Sequence, residues 1–164
     1  KIKPQVEEIL RNYGELCLIW FDVPMTISDS QSRELFDLVK KYQPDCLINS
    51  RLGNGAYDYV SLGDNEIPDF LPVGEEFDPS KLDYNACDGI KPSPYGLYET
   101  AATMNNSWGY CAWDQNWKDA RKILEIKRKL NGMGINYLLN VGPDHLGRIP
   151  GPSQAILREV AKNI

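Results

Sequence analysis

Short runs of consecutive apolar residues, each followed by an amphipathic helical segment, constrain the fold of this chain more than any other feature. The clearest run is LCLIWF at 16–21, and a second, CLIN, occupies 46–49. Continuous apolar runs of this length are typical of strands covered on both faces, as in parallel sheets. Strands that alternate with helices predict parallel β/α units.

The remaining helices and strands complete this alternation. The predicted order is helix 3–13, strand 16–21, helix 31–42, strand 46–49, strand 98–104, helix 117–131, strand 135–141 and helix 152–163. Ser28, Asp29 and Ser30 offer N-caps for the second helix, and Pro152 suits the first turn of the last. Residues 52–97 are predicted to be a long turn-rich stretch, and loops of that length inside a domain are usually functional.

Charge and hydropathy argue against several classes of partner. The net charge is −5, whereas nucleic acid or an anionic membrane needs a basic footprint. No apolar run approaches the ~20 residues of a membrane span, and the opening KIKPQVEEIL has no signal-peptide pattern. The sequence therefore predicts neither a nucleic-acid nor a membrane partner, and its 164 residues suffice for one domain.

The four cysteines do not have the spacing of a metal site. Cys17, Cys46, Cys87 and Cys111 form no CxxC pair, and His145 is the single histidine, so we expect no structural zinc. Cys17 and Cys46 lie in apolar runs, where a cysteine behaves as a small buried hydrophobe. We expect free thiols, and no metal or organic cofactor.

Polar residues follow the predicted strands, where parallel β/α folds place their chemistry. Asp22 closes the run IWFD, and a carboxylate held there on a rigid strand suits a nucleophile. A helix N-cap or a loop-bonded aspartate is the alternative. Arg51 follows the second strand, where substrate contact and a salt bridge with a loop carboxylate are both open. No GxGxxG follows any strand, which disfavours nucleotide binding.

One chemistry open to a carboxylate nucleophile is that of retaining glycosidases, which need a second carboxyl group ~5 Å from the first, and the chain offers many. Spacing does not choose among the candidates, which are Asp58, Asp64, Glu66, Asp69, Glu75, Glu76 and Glu99. Sugars also stack on aromatic rings. Trp108 lies in the polar turn NNSWGY and is a candidate substrate contact. Trp20 is a second candidate, although its place within a strand predicts a core position.

Five segments together resemble the catalytic domain of alpha-L-fucosidases, glycoside hydrolase family 29. They are IWFD at 19–22, INSRLGN at 48–54, DYVSLGDNEIP at 58–68, YETAATMNNSWGY at 98–110 and NYLLNVGPDHLGRIP at 136–150. The resemblance spans nearly the whole chain. It implies that residues 1–164 form the C-terminal part of a (β/α)8, or TIM, catalytic barrel.

The resemblance also implies roles for individual residues. Asp22 matches the family's nucleophile, Arg51 matches an arginine that contacts fucose, and Trp108 matches an aromatic that packs against the fucose methyl side. The acid/base differs between branches of the family. A T-x-E pattern would place it at Gly63, which cannot serve, a G-N-E pattern at Glu66, and a W-E-T pattern at Glu99. Glu66 is favoured over Glu99.

The histidine motifs HWG and HHDGF of the family's early strands have no counterpart here. The resemblance therefore implies that an N-terminal half of the barrel is missing and that this piece alone is inactive.

The function that the resemblance implies is release of terminal alpha-linked L-fucose from glycans with retention of configuration. The alternatives are a non-catalytic sugar-binding remnant and a retaining glycosidase for another sugar. For the full-length protein, the localisation could be secreted, periplasmic or lysosomal.

Overall fold

The computed structural model describes residues 1–22, 26–69, 71 and 91–164. It is an α/β structure in which helices alternate with mostly short strands. The elements are α1 (Ile2–Asn12), β1 (Leu18–Ile19), α2 (Asp29–Tyr42), β2 (Leu47–Ile48), a 3-10 turn (Ser50–Leu52), β3 (Val60–Asp64), β4 (Tyr98–Thr103), α3 (Ala120–Gly132), β5 (Ile135–Asn140) and α4 (Gly151–Ala161). The four predicted helices are confirmed, with ends that differ by up to three residues.

Helix α2 begins where the sequence predicted a cap. Ser28 is the N-cap: its side chain accepts from the backbone N–H of Gln31, and the Gln31 side chain accepts from the backbone N–H of Ser28. This reciprocal pair is a capping box, which satisfies two backbone donors that the helix itself leaves unpaired. Helix α4 carries Pro152 in its first turn, as predicted.

Strands β1 and β2 pair in parallel, with Leu18 opposite Leu47 and Ile19 opposite Ile48. They are shorter than the predicted 16–21 and 46–49 because side chains replace the backbone ladder at both ends of β1. The Leu16 N–H donates to Gln43 at 2.7 Å, and the Phe21 N–H donates to Asn49 at 2.9 Å.

The expectation that the run 16–21 is covered on both faces is wrong for this chain. Leu18 and Ile19 are half-buried, and Cys17 is exposed. Cys46, in the second run, is buried as expected.

The predicted turn-rich stretch 52–97 contains a strand that the sequence pattern did not reveal. Strand β3, VSLGD, is buried over its first four residues and belongs to a sheet of order β3–β4–β5. Gly63 and Asp64 are weak strand formers, and the segment lacks a continuous apolar run such as LCLIWF at 16–21. The described residues therefore form five strands rather than the four predicted.

The described residues fall into two compact units. The first, residues 1–61 and 91–98, has a core in which α1 and α2 contribute Val6, Leu10, Leu35 and Val39. The apolar spacing on both helices faces this core, so burial rather than helix propensity supplies most of their stability.

The second unit comprises residues 62–69, 71 and 99–164. Helix α3 packs against β5 and α4 in this unit. Ile123, Ile126 and Leu130 of α3 are buried, as their spacing predicted. Asp119 caps the helix by accepting from the backbone N–H of Lys122.

Candidate active site

Asp22 lies three residues beyond the end of β1, and its side chain is 49% exposed. Its Oδ1 accepts from Nη1 of Arg51 at 3.3 Å. An ion pair with one partner this exposed adds at most about 1 kcal/mol to stability. The contact therefore matters for where it holds the carboxylate rather than for the stability of the fold.

Arg51 is the rigid partner in this pair. It lies in the 3-10 turn that follows β2 and is only 4% exposed. Its Nε donates to the Ser61 hydroxyl at 3.3 Å, and its guanidinium carbon lies 4.6 Å from the ring centre of Trp20. The sequence left open a salt bridge with a loop carboxylate. One bridge of Arg51 is with Asp22, the predicted nucleophile.

Trp20 is half-buried, not fully buried as its strand position predicted. One ring face covers the Arg51 guanidinium, a cation–π arrangement within the ~6 Å at which such contacts are attractive. A cleft of about 570 Å³, lined largely by apolar side chains such as Phe21 and Leu52, opens beside Asp22. In the first unit, the carboxylate is thus both anchored and accessible.

The acidic candidates of the first unit divide clearly. Asp58 is 3% exposed and accepts from Lys40 Nζ at 2.8 Å and from the Ile48 N–H at 2.9 Å. Because the Asp58 side chain is buried and one of its bonds joins it to the last residue of β2, Asp58 has a structural role. Glu75 and Glu76 lie outside the described residues.

The four candidates of the second unit occupy different positions. Glu66 is exposed, two residues past the end of β3. Glu99 is buried, at the second position of β4. Asp69 pairs with Lys129 at 2.8 Å, which lowers the pKa of the Asp69 carboxyl. Asp64, the last residue of β3, is half-buried and occupies the strand-end position at which such folds carry their chemistry.

Asn65, which follows β3, was not among the predicted site residues. Its backbone is left-handed, with φ of 60°, a conformation that asparagine tolerates better than most residues. Its Oδ1 accepts from both the N–H and the hydroxyl of Thr103, each at 2.9 Å. Asn65 therefore ties the end of β3 to the end of β4. No sequence signal marked Asn65, because the strand that it follows was itself not predicted.

Trp108 is 41% exposed, as its polar turn predicted. Its carbonyl accepts from Asn140 Nδ2 at 2.7 Å. A Cβ placed on Gly142 would lie 2.7 Å from the Gly109 carbonyl carbon and 2.8 Å from the Tyr110 nitrogen. The turn that carries Trp108 therefore needs a glycine at 142, because only a residue without a side chain permits this approach.

Asp114 organises the same turn from the other side. It accepts from the hydroxyl of Ser107 at 2.8 Å and from the backbone N–H groups of Asn106 and Asn116. Burial acts to raise the pKa of Asp114, but the hydrogen bonds from Ser107, Asn116 and Asn106 outweigh it and hold the pKa below its usual value. The aromatic side chain of Trp108 is thus presented by a preorganised turn.

The predicted site residues are divided between the two units. The first contains Asp22 and Trp20, which both contact Arg51, and the second contains Glu66, Glu99 and Trp108.

Among the described residues, no group of three or more His, Cys, Asp or Glu side chains could hold a metal ion. Cys17, Cys46 and Cys111 are free thiols, and Cys87 lies outside the described residues. His145 is exposed in a loop. None of the described helices is long and apolar enough to span a membrane.

Comparison with known proteins identifies the family. The family model described as Alpha-L-fucosidase matches residues 1–164. A search of curated proteins found no match. Among solved structures, the chain is 50% identical to alpha-L-fucosidase AlfC from Lactobacillus casei in complex with alpha-L-fucose, with a TM-score of 0.76, covering 100% of this chain and 46% of that one.

Two more distant structures agree. Alpha-L-fucosidase isoenzyme 1 from Paenibacillus thiaminolyticus is 30% identical with a TM-score of 0.77, covering 98% of this chain and 37% of that one. The alpha-L-fucosidase from Vibrio sp. strain EJY3 is 30% identical with a TM-score of 0.75, covering 97% and 26%. The chain thus spans less than half the length of these structures. Because the family model matches every residue, the chain belongs to the alpha-L-fucosidase family.

Proposed function

We propose that this chain carries the nucleophile of a retaining alpha-L-fucosidase that releases terminal alpha-linked L-fucose from glycans. The observation that carries the proposal is the pairing of Asp22, beyond the end of β1, with the buried Arg51 in a member of the alpha-L-fucosidase family. A carboxylate oriented by a fixed guanidinium suits nucleophilic attack, since productive geometry must be held before the reaction begins.

The proposed reaction has two displacement steps. In the first, an Asp22 oxygen bonds to the anomeric carbon, the glycosidic bond breaks, and the acid gives its proton to the leaving oxygen. In the second, water attacks the anomeric carbon, the same residue takes its proton, and the bond to Asp22 breaks. Glycoside and water thereby become L-fucose and the freed alcohol.

The proposed acid/base is Glu66 or Glu99, as the family patterns imply, and the strand ends add Asp64. Asp64 is favoured by position because a strand end is more rigid than a loop, whereas Glu66 lies in the loop. Glu99 lies near the opposite end of its strand, away from the carboxyl-terminal edge where β/α folds concentrate their chemistry.

Mutants of AlfC support a functional role for Asp22 and for the segment that follows β3. One complex of that enzyme with 4-nitrophenyl fucoside was obtained after an aspartate was replaced by alanine. Replacing an asparagine 43 positions later gave a fucosyltransferase mutant. Asp22 and Asn65 are separated by the same number of positions here. We propose that Asp22 and Asn65 correspond to that aspartate and that asparagine, which marks the segment after β3 as functional.

Arg51 and Trp108 are the proposed substrate contacts. Trp20 contributes indirectly, because its ring holds the Arg51 guanidinium in place. AlfC has been solved with 4-nitrophenyl fucoside and with Fuc-alpha-1,6-GlcNAc. We propose a fucosylated oligosaccharide or glycoconjugate as the substrate of this protein as well. Trp108, exposed on a rigid turn, would present an apolar face to the methyl group of fucose.

We further propose that a complete (β/α)8 barrel requires chain beyond these 164 residues, since such barrels need eight strands and ~200–250 residues or more. The segment alone would then leave strand edges unpaired and the transition state poorly enclosed. We expect residues 1–164, expressed alone, to show no fucosidase activity. Turnover by a monomeric segment, within about tenfold of a full-length relative, would contradict this.

The function is tested on the complete gene product with matched aryl glycosides. We expect turnover of 4-nitrophenyl alpha-L-fucoside, with the alpha anomer of fucose appearing first in proton NMR. The 4-nitrophenyl alpha-L-galactoside differs by one hydroxyl at C6 and is expected to react more slowly. Initial release of the beta anomer would contradict the retaining mechanism. Equal or preferred turnover of the galactoside would favour another sugar, and binding without turnover would favour a non-catalytic remnant.

A further inference from the structure

A buried asparagine holds the backbone immediately before Asp22. Asn49 is 0% exposed. Its Oδ1 accepts from the Phe21 N–H at 2.9 Å, and its Nδ2 donates to the Phe21 carbonyl at 2.9 Å. The side chain thus engages both polar groups of one residue, as a partner strand would.

The two hydrogen bonds between the Asn49 side chain and the Phe21 backbone, called the clamp from here on, lie just beyond the last backbone pair of β1 and β2. The last backbone pair is Ile19 with Ile48, and Asn49 pairs on its other side with Tyr59 in a parallel bridge. The Asn49 backbone is therefore held by the neighbouring segment, while its side chain reaches back to Phe21. A fully buried side chain held in this way has little freedom to move.

The bond to the Phe21 carbonyl matters most for Asp22. That carbonyl and the Asp22 nitrogen belong to the same planar peptide unit. Holding the carbonyl fixes the orientation of the plane and so the direction from which the Asp22 side chain departs. Arg51 then holds the carboxylate itself at 3.3 Å. Two buried residues from the β2 end thus set the backbone and the side chain of Asp22 separately.

We propose that Asn49 is a positioning residue for the nucleophile, acting through the Phe21 amide and carbonyl without contact with substrate. The inference rests on the proposed function, because it assumes that Asp22 attacks the anomeric carbon. Its consequence is specific: loss of the clamp slows formation of the covalent intermediate while leaving ground-state binding of the sugar largely intact.

The chain offers a matched control at the other end of β1. The side chain of Gln43 accepts from the Leu16 N–H at 2.7 Å and donates to the carbonyls of Leu10 and Gly14. Asn49→Asp and Gln43→Glu therefore make the same change. Each keeps an acceptor for a backbone N–H and turns a donor into an oxygen that repels a backbone carbonyl. One does so beside Asp22 and the other at the far end of the strand.

The experiment traps the intermediate in the complete gene product with 2-deoxy-2-fluoro-fucosyl fluoride and follows the mass increase with time. Misplacing a reacting group by ~1 Å can cost about a hundredfold, and we expect a loss of about that size for Asn49→Asp. Deoxyfuconojirimycin affinity should change less than about threefold, since binding does not require attack geometry. Gln43→Glu should lower the melting temperature without slowing trapping.

Each outcome is decisive. A folded Asn49→Asp protein trapped as fast as wild type would refute the positioning role, as would equal slowing in Gln43→Glu. If Asn49→Asp does not fold, the neutral Asn49→Ser, which offers a single shorter hydroxyl, replaces it with the same readouts. If wild type itself forms no adduct on Asp22, the proposed function fails, and this inference fails with it.

Discussion

The guanidinium of Arg51 stacks on the ring of Trp20, with 4.6 Å between the guanidinium carbon and the ring centre. Trp20 immediately precedes Phe21 and Asp22 in the chain, so one short segment supplies both the proposed nucleophile and the aromatic ring that holds its cationic partner. Stacking restricts the planar guanidinium and directs its donors. The ring face that a sugar could have used is therefore occupied by Arg51.

Replacement of Arg51 should weaken sugar binding. A hydrogen bond to a charged group contributes about 1.5–3 kcal/mol, so Arg51→Ala should reduce deoxyfuconojirimycin affinity at least about tenfold by calorimetry. Arg51→Lys keeps the charge but loses the planar stack and should recover only part of the loss. Arg33, which lies over Phe36 at 5.3 Å, provides a cation–π control: Arg33→Ala should bind normally. Unchanged affinity in Arg51→Ala would remove this residue from the site.

Asp22→Gly should lower turnover of an aryl fucoside by several orders of magnitude, because the proposed covalent step would lose its nucleophile. Azide should partly restore turnover by entering the vacated space, giving a fucosyl azide detectable by mass spectrometry. Asp45→Gly, at an exposed turn position, is the matched control and should behave as wild type. Near-normal turnover without azide in Asp22→Gly would show that another residue is the nucleophile.

The sequence pattern predicted the helices better than the strands. Amphipathic spacing and caps such as Ser28 are local, and the structure confirms them. The extent of β1 depends on the distant side chains of Gln43 and Asn49, which take over its backbone bonds. Strand β3 is buried through its neighbours in the sheet rather than through its own apolar content, so no local pattern marked it.

The candidate site shows the same division. The position of Asp22 followed from an apolar run that ended in a carboxylate. Its contact with Arg51 joins residues 29 positions apart, and the left-handed backbone of Asn65 is a property of conformation. Neither is encoded in a nearby pattern. The requirement for Gly142 likewise arises because another loop approaches it, which no sequence period reveals.

Gly142→Ala should destabilise the turn that carries Trp108. The added Cβ would meet the Gly109 backbone at 2.7 Å, and overpacking of this kind costs about 1–3 kcal/mol. We expect that loss in urea denaturation. We also expect poorer discrimination of fucoside from galactoside, because the proposed contact between Trp108 and the fucose methyl group would be displaced, and Trp108→Ala should show the same poorer discrimination. Gly132, which has open space around its Cβ position, is the control. Equal stability of Gly142→Ala and Gly132→Ala would contradict the close approach.

Asp144 should give an acid-dependent contribution to stability. A side-chain hydrogen bond and a backbone hydrogen bond from Arg148 lower the pKa of Asp144 from 3.8 to about 2. A carboxyl whose folded pKa lies below its unfolded value stabilises the fold above the unfolded pKa. The contribution should thus be present above about pH 4 and be lost as pH falls toward 2.

Asp144→Asn tests this contribution, because an amide of nearly the same shape cannot titrate. Its stability should decline less than that of wild type between pH 4 and pH 2, as measured by denaturant unfolding at each pH. Carbon-detected NMR titration of the Asp144 carboxyl gives the direct value. An ordinary midpoint near 3.8, or parallel pH profiles for the two proteins, would contradict the assignment.

The acid/base should be revealed by how strongly each variant depends on the leaving group. An aryl fucoside with an acidic phenol departs with little protonation, whereas an alkyl or sugar leaving group needs a proton in the transition state. Loss of the true acid should therefore slow the reaction of substrates with poor leaving groups by about 10²–10⁴-fold and affect 2,4-dinitrophenyl fucoside much less.

Three variants, Asp64→Asn, Glu66→Gln and Glu99→Gln, remove one candidate each with little change of shape. Asp69→Asn, at the surface pair with Lys129, controls for removal of an acidic charge from the same unit. The strand-end position of Asp64 predicts this dependence on the leaving group for Asp64→Asn, and the family patterns predict it for Glu66→Gln or Glu99→Gln.

Azide added to the true acid/base variant should yield the fucosyl azide of retained configuration, because azide attacks the intermediate without needing a base. A variant that slows all substrates equally has lost positioning or folding rather than the acid. If none of the three shows leaving-group dependence, the acid/base lies elsewhere in the protein.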